Sequence, residues 1–505
     1  MSLRRADGRP TLLATALAAA AALAAAVAVV VALTFLTGPE VYLPAMAAVL
    51  GVEVLVGLSL LLRRLSRRRP GRRLRSVASG RPEMSPKRRQ RALETARTAA
   101  GRAEHGFLAD SEKLLQDVAA DPAQPREARE IAARALRTVV TAAAAPRREE
   151  HFDVVIVSNF NLPGGTTASN ANEIGLLAEA GKRVGLLHHP LYASNTGRPV
   201  NPKIEELVDG ESVRYVQPRS KVSCELLVMR FPPFAERLRD DLPSIEARES
   251  ILVVNQAPMS YYDAVGGRKP IWDPALVHRT LSDWIGPHRW FAAGPAVHRV
   301  LVEHHGEELR DVALAADYWY PTLDLARLGR RGPEAPEGPV VIGRHSRDHQ
   351  SKWPELAADL RACYPEGPDW EIRVLGGARA AERILGRLPS NWTVQGFDTA
   401  PVGEFLTGLD FYAYYPHSAL LEAFGRAPVE AMAAGVPTVL PPAFEEVFGT
   451  GALYARPEEA RELITALAGN PSEYTVQQKR GIEAVEQRFG FEAHRERFRS
   501  VGVEL

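Results

Sequence analysis

The stretch "VVIVSNFNLPGGTTASNANEIGLLAEAG", Val154 to Gly181, passes from a β-branched run through a glycine pair into a helix-compatible segment. A short apolar run bounded by turn residues reads as a buried strand, and the helical pattern behind it reads as a crossover to a parallel neighbour. Gly164 and Gly165 stand between the two. Glycine there lets the backbone approach a ligand, and a helix N-terminus favours an anionic group. An ordinary strand-to-helix turn explains the pair equally well, because its spacing departs from the dinucleotide fingerprint.

The same alternation recurs downstream. "RVGLLHH", "SVRYV", "ILVVNQ" and "RWFAAG" continue one half; "GPVVIGRH", "EIRVLGG", "WTVQGF", "LDFYAYYP" and "PTVLPP" make another. Strands separated by helical segments predict an α/β fold of two Rossmann-like domains, residues 150–328 and 329–486, each with a parallel sheet. Two such halves imply a cleft, since open sheets take ligands beyond their strand ends. The aromatics of "DFYAYYP" are expected in the sheet core, and Trp353 is expected to pack its helix in place.

Upstream, residues 84–147 are rich in Ala, Arg and Glu, with helix starts at "SPKRRQ" and "QPREAR", where Pro86 and Pro125 suit first-turn positions. We expect a helical stalk or a small helical bundle there. Further upstream, no residue from Thr11 to Pro39 is charged, and Val41 to Leu62 is a second apolar run. Each is long enough to span a hydrocarbon core of about 30 Å, and "TGPE" between them allows only a helical hairpin. "RRLSRRRPGRRLR" follows, with eight arginines in thirteen residues. Residues 1–75 therefore read as two transmembrane helices whose basic flanks face the cytoplasm, placing the remainder of the chain on that side of an inner (cytoplasmic) membrane. Glu53, in mid-span, reads as a helix–helix contact that would make a homo-oligomer.

The net charge of +1 conceals an asymmetry: residues 1–100 carry 17 Lys+Arg against 5 Asp+Glu, and the rest 45 against 56. The basic excess sits beside the apolar runs, so it reads as membrane orientation and anionic-lipid contact rather than nucleic-acid binding. Only Cys224 and Cys363 occur, which excludes a disulfide scaffold.

The chemistry concentrates in the second half. "EAFGRAPVEAMAAGVP" sets Glu422 and Glu430 eight residues apart around Phe424 and Gly425. A helix starting near Arg426 to Pro428 and ending at Gly435 would aim its positive end at a diphosphate. Glu430, one turn in, could accept from a ribose diol, and Glu422 from a sugar beyond the phosphates, because a carboxylate offers two acceptor oxygens. "VVIGRHSRDHQSKWPEL" adds Arg344, Arg347 and Lys352 after the second half's first strand, cations that can hold a diphosphate leaving group. No Asp-x-Asp pair occurs in the chain, so no metal-bridged nucleotide site is indicated. His345, His349 and His417 lie near the motif without zinc-ligand spacing, and surface or hydrogen-bonding roles are expected for them.

These residues resemble the retaining glycosyltransferases of family 4, which have the two-domain GT-B fold. The resemblance covers about residues 152–500 and rests on the E-x7-E pair with its "EAFG" opening, the "GRHSRDHQSK" loop and "AMAAGVPTV". It implies that Glu430 binds the nucleotide ribose and Glu422 the donor sugar. Phe424 and Gly425 would lie beside that sugar, Arg344 and Lys352 would neutralise the diphosphate, and Gly396 would lie near the base. It further implies a nucleotide-sugar donor, no cofactor and no metal, and a helix over 487–505 that returns to the first domain. Two positions depart from the pattern. Lys352 follows Arg344 by eight residues rather than about five, so Arg347 can share or take its role, and Asn255 stands where a histidine is usual, leaving His188 and His189 as substitutes.

The resulting expectation is transfer of a sugar to a membrane-associated acceptor, either lipid-linked or a cell-envelope glycan. A nucleotide-sugar epimerase or hydrolase of the same fold, and a non-catalytic membrane scaffold, are the alternatives.

Overall fold

The computed structural model describes residues 84–104, 106–144, 148–191, 198–263, 266–396 and 399–504. The two apolar runs and the arginine run lie outside these. Among the described residues no helix is long and apolar enough to cross a membrane. Residues 84–505 form one compact unit.

The first sheet comprises β1 (Glu149–Ser158), β2 (Val184–His188), β3 (Val213–Tyr215), β4 (Lys221–Arg230), β5 (Ser244–Val254), β8 (Arg289–Ala292) and β9 (Ala313–Leu314). Its order is β3-β2-β1-β4-β5-β8-β9, with every pairing parallel. Val155, Val157, Leu227 and Met229 face one core cluster, and Val154, Ile156, Leu226 and Val228 the other. Burial on both faces is why β1 reads as a continuous apolar run from Val154 to Val157. An antiparallel hairpin, β6 (Met259–Asp263) with β7 (Gly266–Pro270), is inserted after β5.

The second sheet contains β10 (Val340–His345), β11 (Trp370–Leu375), β12 (Trp392–Gln395), β13 (Phe411–Ala413), β14 (Thr438–Leu440) and β15 (Leu453–Tyr454). Its order is β12-β11-β10-β13-β14-β15, again parallel throughout. In both sheets strand addition reverses beside the first strand, between β1 and β4 and between β10 and β13. That reversal opens a crevice at the carboxyl ends of the strands. Phe411, Tyr412, Tyr414 and Tyr415 are buried in this sheet's core, as expected.

The chain passes between the sheets twice. It leaves the first domain through Trp319 to Leu325, and it returns where the helix Pro471–Phe489 gives way at Gly490 to the helix Phe491–Ser500. On the return, Phe498, Val501 and Val503 enter the core cluster formed by Val154, Ile156 and their neighbours.

Residues 84–144 form a small helical bundle, the second of the two forms expected for this segment. The helices Pro86–Glu104, Leu108–Ala120 and Arg126–Ala144 pack around Leu115 through Ala96, Ala99, Ala128 and Ala132, small residues that allow close approach. This bundle is fastened to the first domain. Ala109 N donates to Asp240 Oδ2 at 2.9 Å and Asp240 N donates to Gly106 O at 2.9 Å. The Phe107 ring meets His189 edge-on, with centroids 5.8 Å apart.

Candidate active site

The chemistry-bearing residues of both halves lie just beyond the carboxyl ends of parallel strands. Gly164 and Gly165 follow β1, His188 ends β2 and Asn255 follows β5; Arg347 and Lys352 follow β10, Gly396 follows β12, and Glu422 lies on the loop after β13. The two sets approach each other. A Cβ added at Gly164 would lie 4.0 Å from Arg347 Nε, and one added at Gly294, after β8, would lie 2.4 Å from Ala423 O. Leu421 and Ala423, flanking Glu422, pack against the core of the first domain.

Glu422 is held from two sides. Lys352 Nζ donates to its Oε2 at 2.6 Å and the Tyr414 hydroxyl donates to the same oxygen at 2.8 Å. Burial and the charge of Glu422 push the Tyr414 phenol well above its usual range, so it stays protonated and donates.

Arg344 does not face the cleft as a phosphate-binding cation would. Its side chain is wholly buried, with the guanidinium 3.6 Å from the Trp353 ring centroid and 5.5 Å from that of Tyr414. Its Nη2 donates to Lys352 O at 2.5 Å and to Ser346 Oγ at 3.0 Å. Arg344 thus braces the loop that carries Lys352, and Trp353 is its aromatic platform. Arg347 is exposed and, among the described residues, forms no ion pair.

The helix Arg426–Ala433 begins after Gly425, whose φ of +84° lies in the left-handed region where glycine is unstrained. It closes with Val436 N donating to Ala431 O at 3.0 Å, the six-to-one bond of a glycine C-cap at Gly435. One turn inside, Glu430 Oε2 meets His345 Nε2 at 2.8 Å and its Oε1 accepts from Arg426 Nε at 2.7 Å. Burial alone would raise the Glu430 carboxyl; the Arg426 charge and the His345 hydrogen bond outweigh it and hold the group below its usual range. Phe424 is buried against Phe489, with ring centroids 5.1 Å apart.

In the first domain, Asn255 Nδ2 donates to Thr166 Oγ1 at 3.1 Å, tying the end of β5 to the glycine loop. His188 Nδ1 accepts from Phe160 N at 3.1 Å. His189 is fully buried and has no access to the cleft: Arg239 N donates to its Nε2 at 3.1 Å, and its Nδ1 lies 3.1 Å from Pro190 O. Burial and the nearby Arg239 charge lower it to about 3, so it is a neutral packing residue under the helical bundle. Gly396 is exposed at the end of β12, with Gly376 N and Gly377 N bound to the carbonyl of the preceding Gln395.

Three partners in this cluster are not tied to the carboxylates by the sequence alone: Tyr414, expected only in the sheet core, Arg426, read only as a helix start, and His345, whose expected surface or hydrogen-bonding role is realised as a hydrogen bond to Glu430. Arg426 and Glu430 form an i,i+4 pair, a spacing visible in the sequence. Tyr414 and His345 become partners only through the parallel pairing of β10 with β13. Among the described residues no group of three His, Cys, Asp or Glu could hold a metal ion.

No family model matches the chain, and no curated protein does. Solved structures resemble it at low identity. HepE from Anabaena, in complex with UDP and glucose, is 14% identical, with 70% of this chain and 100% of that chain covered and a TM-score of 0.46. A glycosyltransferase from Rickettsia africae is 11% identical, covering 71% and 98%, with a TM-score of 0.45. An α-glucosyltransferase in complex with UDP and a 13-mer DNA is 11% identical, covering 70% and 100%, with a TM-score of 0.44. None of these carries a residue role to this chain.

Proposed function

We propose that the protein is a membrane-anchored retaining glycosyltransferase of the GT-B kind, resembling family 4, which moves a sugar from a nucleotide-sugar donor to a lipid-linked or cell-envelope glycan acceptor. The observation that carries this reading is the double carboxylate at the crevice of the second sheet: Glu422 paired with Lys352, and Glu430 paired with His345 and Arg426. Two hydroxyl-accepting carboxylates with a helix start and a basic loop between them match a ligand that is a diol at one end, a sugar at the other and a diphosphate in the middle.

In this account Glu430 receives the ribose hydroxyls, while Lys352, Arg347 and the amides at Gly425 and Arg426 receive the diphosphate. Glu422 accepts from the donor sugar, with Phe424 and Gly425 beside it and Gly396 near the base. Arg344 positions Lys352. The anomeric carbon–oxygen bond to the diphosphate breaks as the acceptor oxygen bonds to that carbon on the same face, and the acceptor proton passes to the departing phosphate oxygen. No side chain is asked to form a covalent intermediate or to carry a cofactor. The protein orients both reactants and its fixed cations stabilise the leaving charge, as a metal would elsewhere. Gly164, Gly165, Asn255 and His188 line the acceptor side.

The two apolar runs and the arginine-rich flank support an anchor in the inner membrane with the catalytic domains in the cytoplasm, beside acceptors that reside there. The test is incorporation of labelled sugar from nucleotide-sugar donors into membrane lipid extract by the full chain. The account predicts a glycosylated lipid or glycan with the donor's anomeric configuration retained, and none from the Glu430→Ala variant. Freed or epimerised sugar without acceptor would favour a hydrolase or epimerase instead.

A further inference from the structure

The helix Gly165–Glu179, which opens at the glycine loop, grips both segments that pass between the two sheets. Asn172 Nδ2 donates to Thr322 O of the outgoing segment at 3.0 Å. The next residue, Glu173, is hydrogen-bonded through Oε2 to His494 Nε2 of the returning helix at 2.8 Å. The two segments are also joined to each other, since Leu323 N and Thr322 Oγ1 both approach Phe489 O, at 3.0 and 3.2 Å.

The contact at Glu173 is built with care for charge. Arg230 Nη2 donates to Glu173 Oε2 at 2.7 Å, Trp319 Nε1 lies 3.4 Å from the same oxygen, and Arg230 Nη1 donates to Asn170 Oδ1 at 2.6 Å. Glu173, Arg230 and His494 are all buried. Arg497 Nη1 donates to His494 Nδ1 at 3.1 Å; because a guanidinium only donates, the ring proton sits on Nε2 and points at Glu173. A buried carboxylate of this kind tolerates little displacement of its donors. The helix therefore follows the two crossing segments.

We propose that Asn172 and His494 are positioning residues for the transfer reaction: through them the crossings set the glycine loop against the basic loop of the second domain. Asn172 lies about 12 Å along the helix from Gly164. At that loop an added Cβ on Gly164 would stand 4.0 Å from Arg347 Nε, so a small tilt of the helix changes the gap across which the two substrates meet. This inference rests on the transferase reading above.

The test uses the full chain with spin labels at Glu179→Cys and Arg379→Cys; both positions are exposed, and both native cysteines are buried. Asn172→Ala removes the bond to Thr322, and His494→Phe keeps the ring packing but removes the bond to Glu173. In each, the label–label distance distribution should broaden and kcat per folded molecule should fall at least about tenfold. Nucleoside-diphosphate affinity, set within the second domain, should stay within about twofold, and His494→Gln, whose amide can donate to Glu173, should restore much of the rate. Distance distributions and rates equal to wild type in both variants would overturn the proposal. Broadened distances in a chain that transfers no sugar would leave the positioning intact and refute the transferase reading.

Discussion

Lys352 Nζ lies 2.6 Å from Glu422 Oε2, joining the loop after β10 to the loop after β13. The pair is about one-fifth exposed on each side, so it is within reach of a ligand but shielded enough for its charges to matter. With Tyr414 on the same oxygen and Arg344 holding the Lys352 carbonyl, a sugar-accepting carboxylate and a phosphate-facing ammonium are fixed in one assembly.

Lys352→Ala should lower kcat/KM for sugar transfer by about a thousandfold, the usual scale for losing a fixed donor to a developing charge. Circular dichroism should be unchanged. Lys352→Arg should recover only part of the rate, since the broader guanidinium cannot occupy the same point. An alanine variant with near-normal turnover would remove Lys352 from the site.

Arg344→Met should destabilise the protein by about 3 kcal/mol, because the change leaves Lys352 O, Ser346 Oγ and the Trp353 face without their buried partner. Urea unfolding measures this directly. Activity should fall with it, as the loop carrying Lys352 loses its brace, and an unaltered unfolding midpoint would contradict the buried cation–π arrangement.

Much of this architecture was legible beforehand because both sheets are parallel and buried on two faces. The strands at Val154, Val184, Val340 and Thr438 accordingly appear as apolar runs between helices, and the strand at Trp370 as a short alternating one. β4 was not anticipated. Its first half alternates, with Val222, Cys224 and Leu226 inward and Lys221, Ser223 and Glu225 outward, so the strand beside β1 reads as polar. The E-x7-E pair and the basic loop were visible because each lies within a short stretch of chain. Arg344 was not assignable as a brace, since burial against Trp353 and Tyr414 depends on contacts up to 70 residues apart. His188 and His189 are adjacent in sequence, yet only His189 is sealed beneath Phe107 and Phe234.

Gly294→Ala should reduce transfer by at least about tenfold, through displacement of the loop rather than loss of a functional group. The added methyl would stand 2.4 Å from Ala423 O, next to Glu422, where one or the other must move. A steady-state comparison of kcat with donor KM checks this, and wild-type values would show that the two loops do not meet as described.

Stability should fall as the solution is acidified below about pH 6.5. Burial and the Arg239 charge lower His189 from 6.5 to about 3, so the unfolded chain binds the proton first and its contribution drains away between those values. Glu173 acts in the same direction: burial opposes its ionisation, but Arg230 and His494 hold it at about 2 against 4.5, so its contribution is present above 4.5 and lost as pH falls through about 2. The urea midpoint, followed from pH 7 to 3, should decline throughout, and His189→Leu should flatten the upper part. A midpoint independent of pH between 6.5 and 4 would contradict the buried neutral imidazole.

The most direct test of the central claim is a thermal-shift panel of residues 84–505, which form a compact unit, against UDP, GDP, ADP and CDP. A ligand at a hundredfold excess over its dissociation constant stabilises by about 2.7 kcal/mol. The account predicts a clear rise in Tm with one of the four and its loss in Glu430→Ala. No shift with any nucleotide, or a shift that survives the substitution, would contradict a nucleotide-sugar site at Glu422 and Glu430.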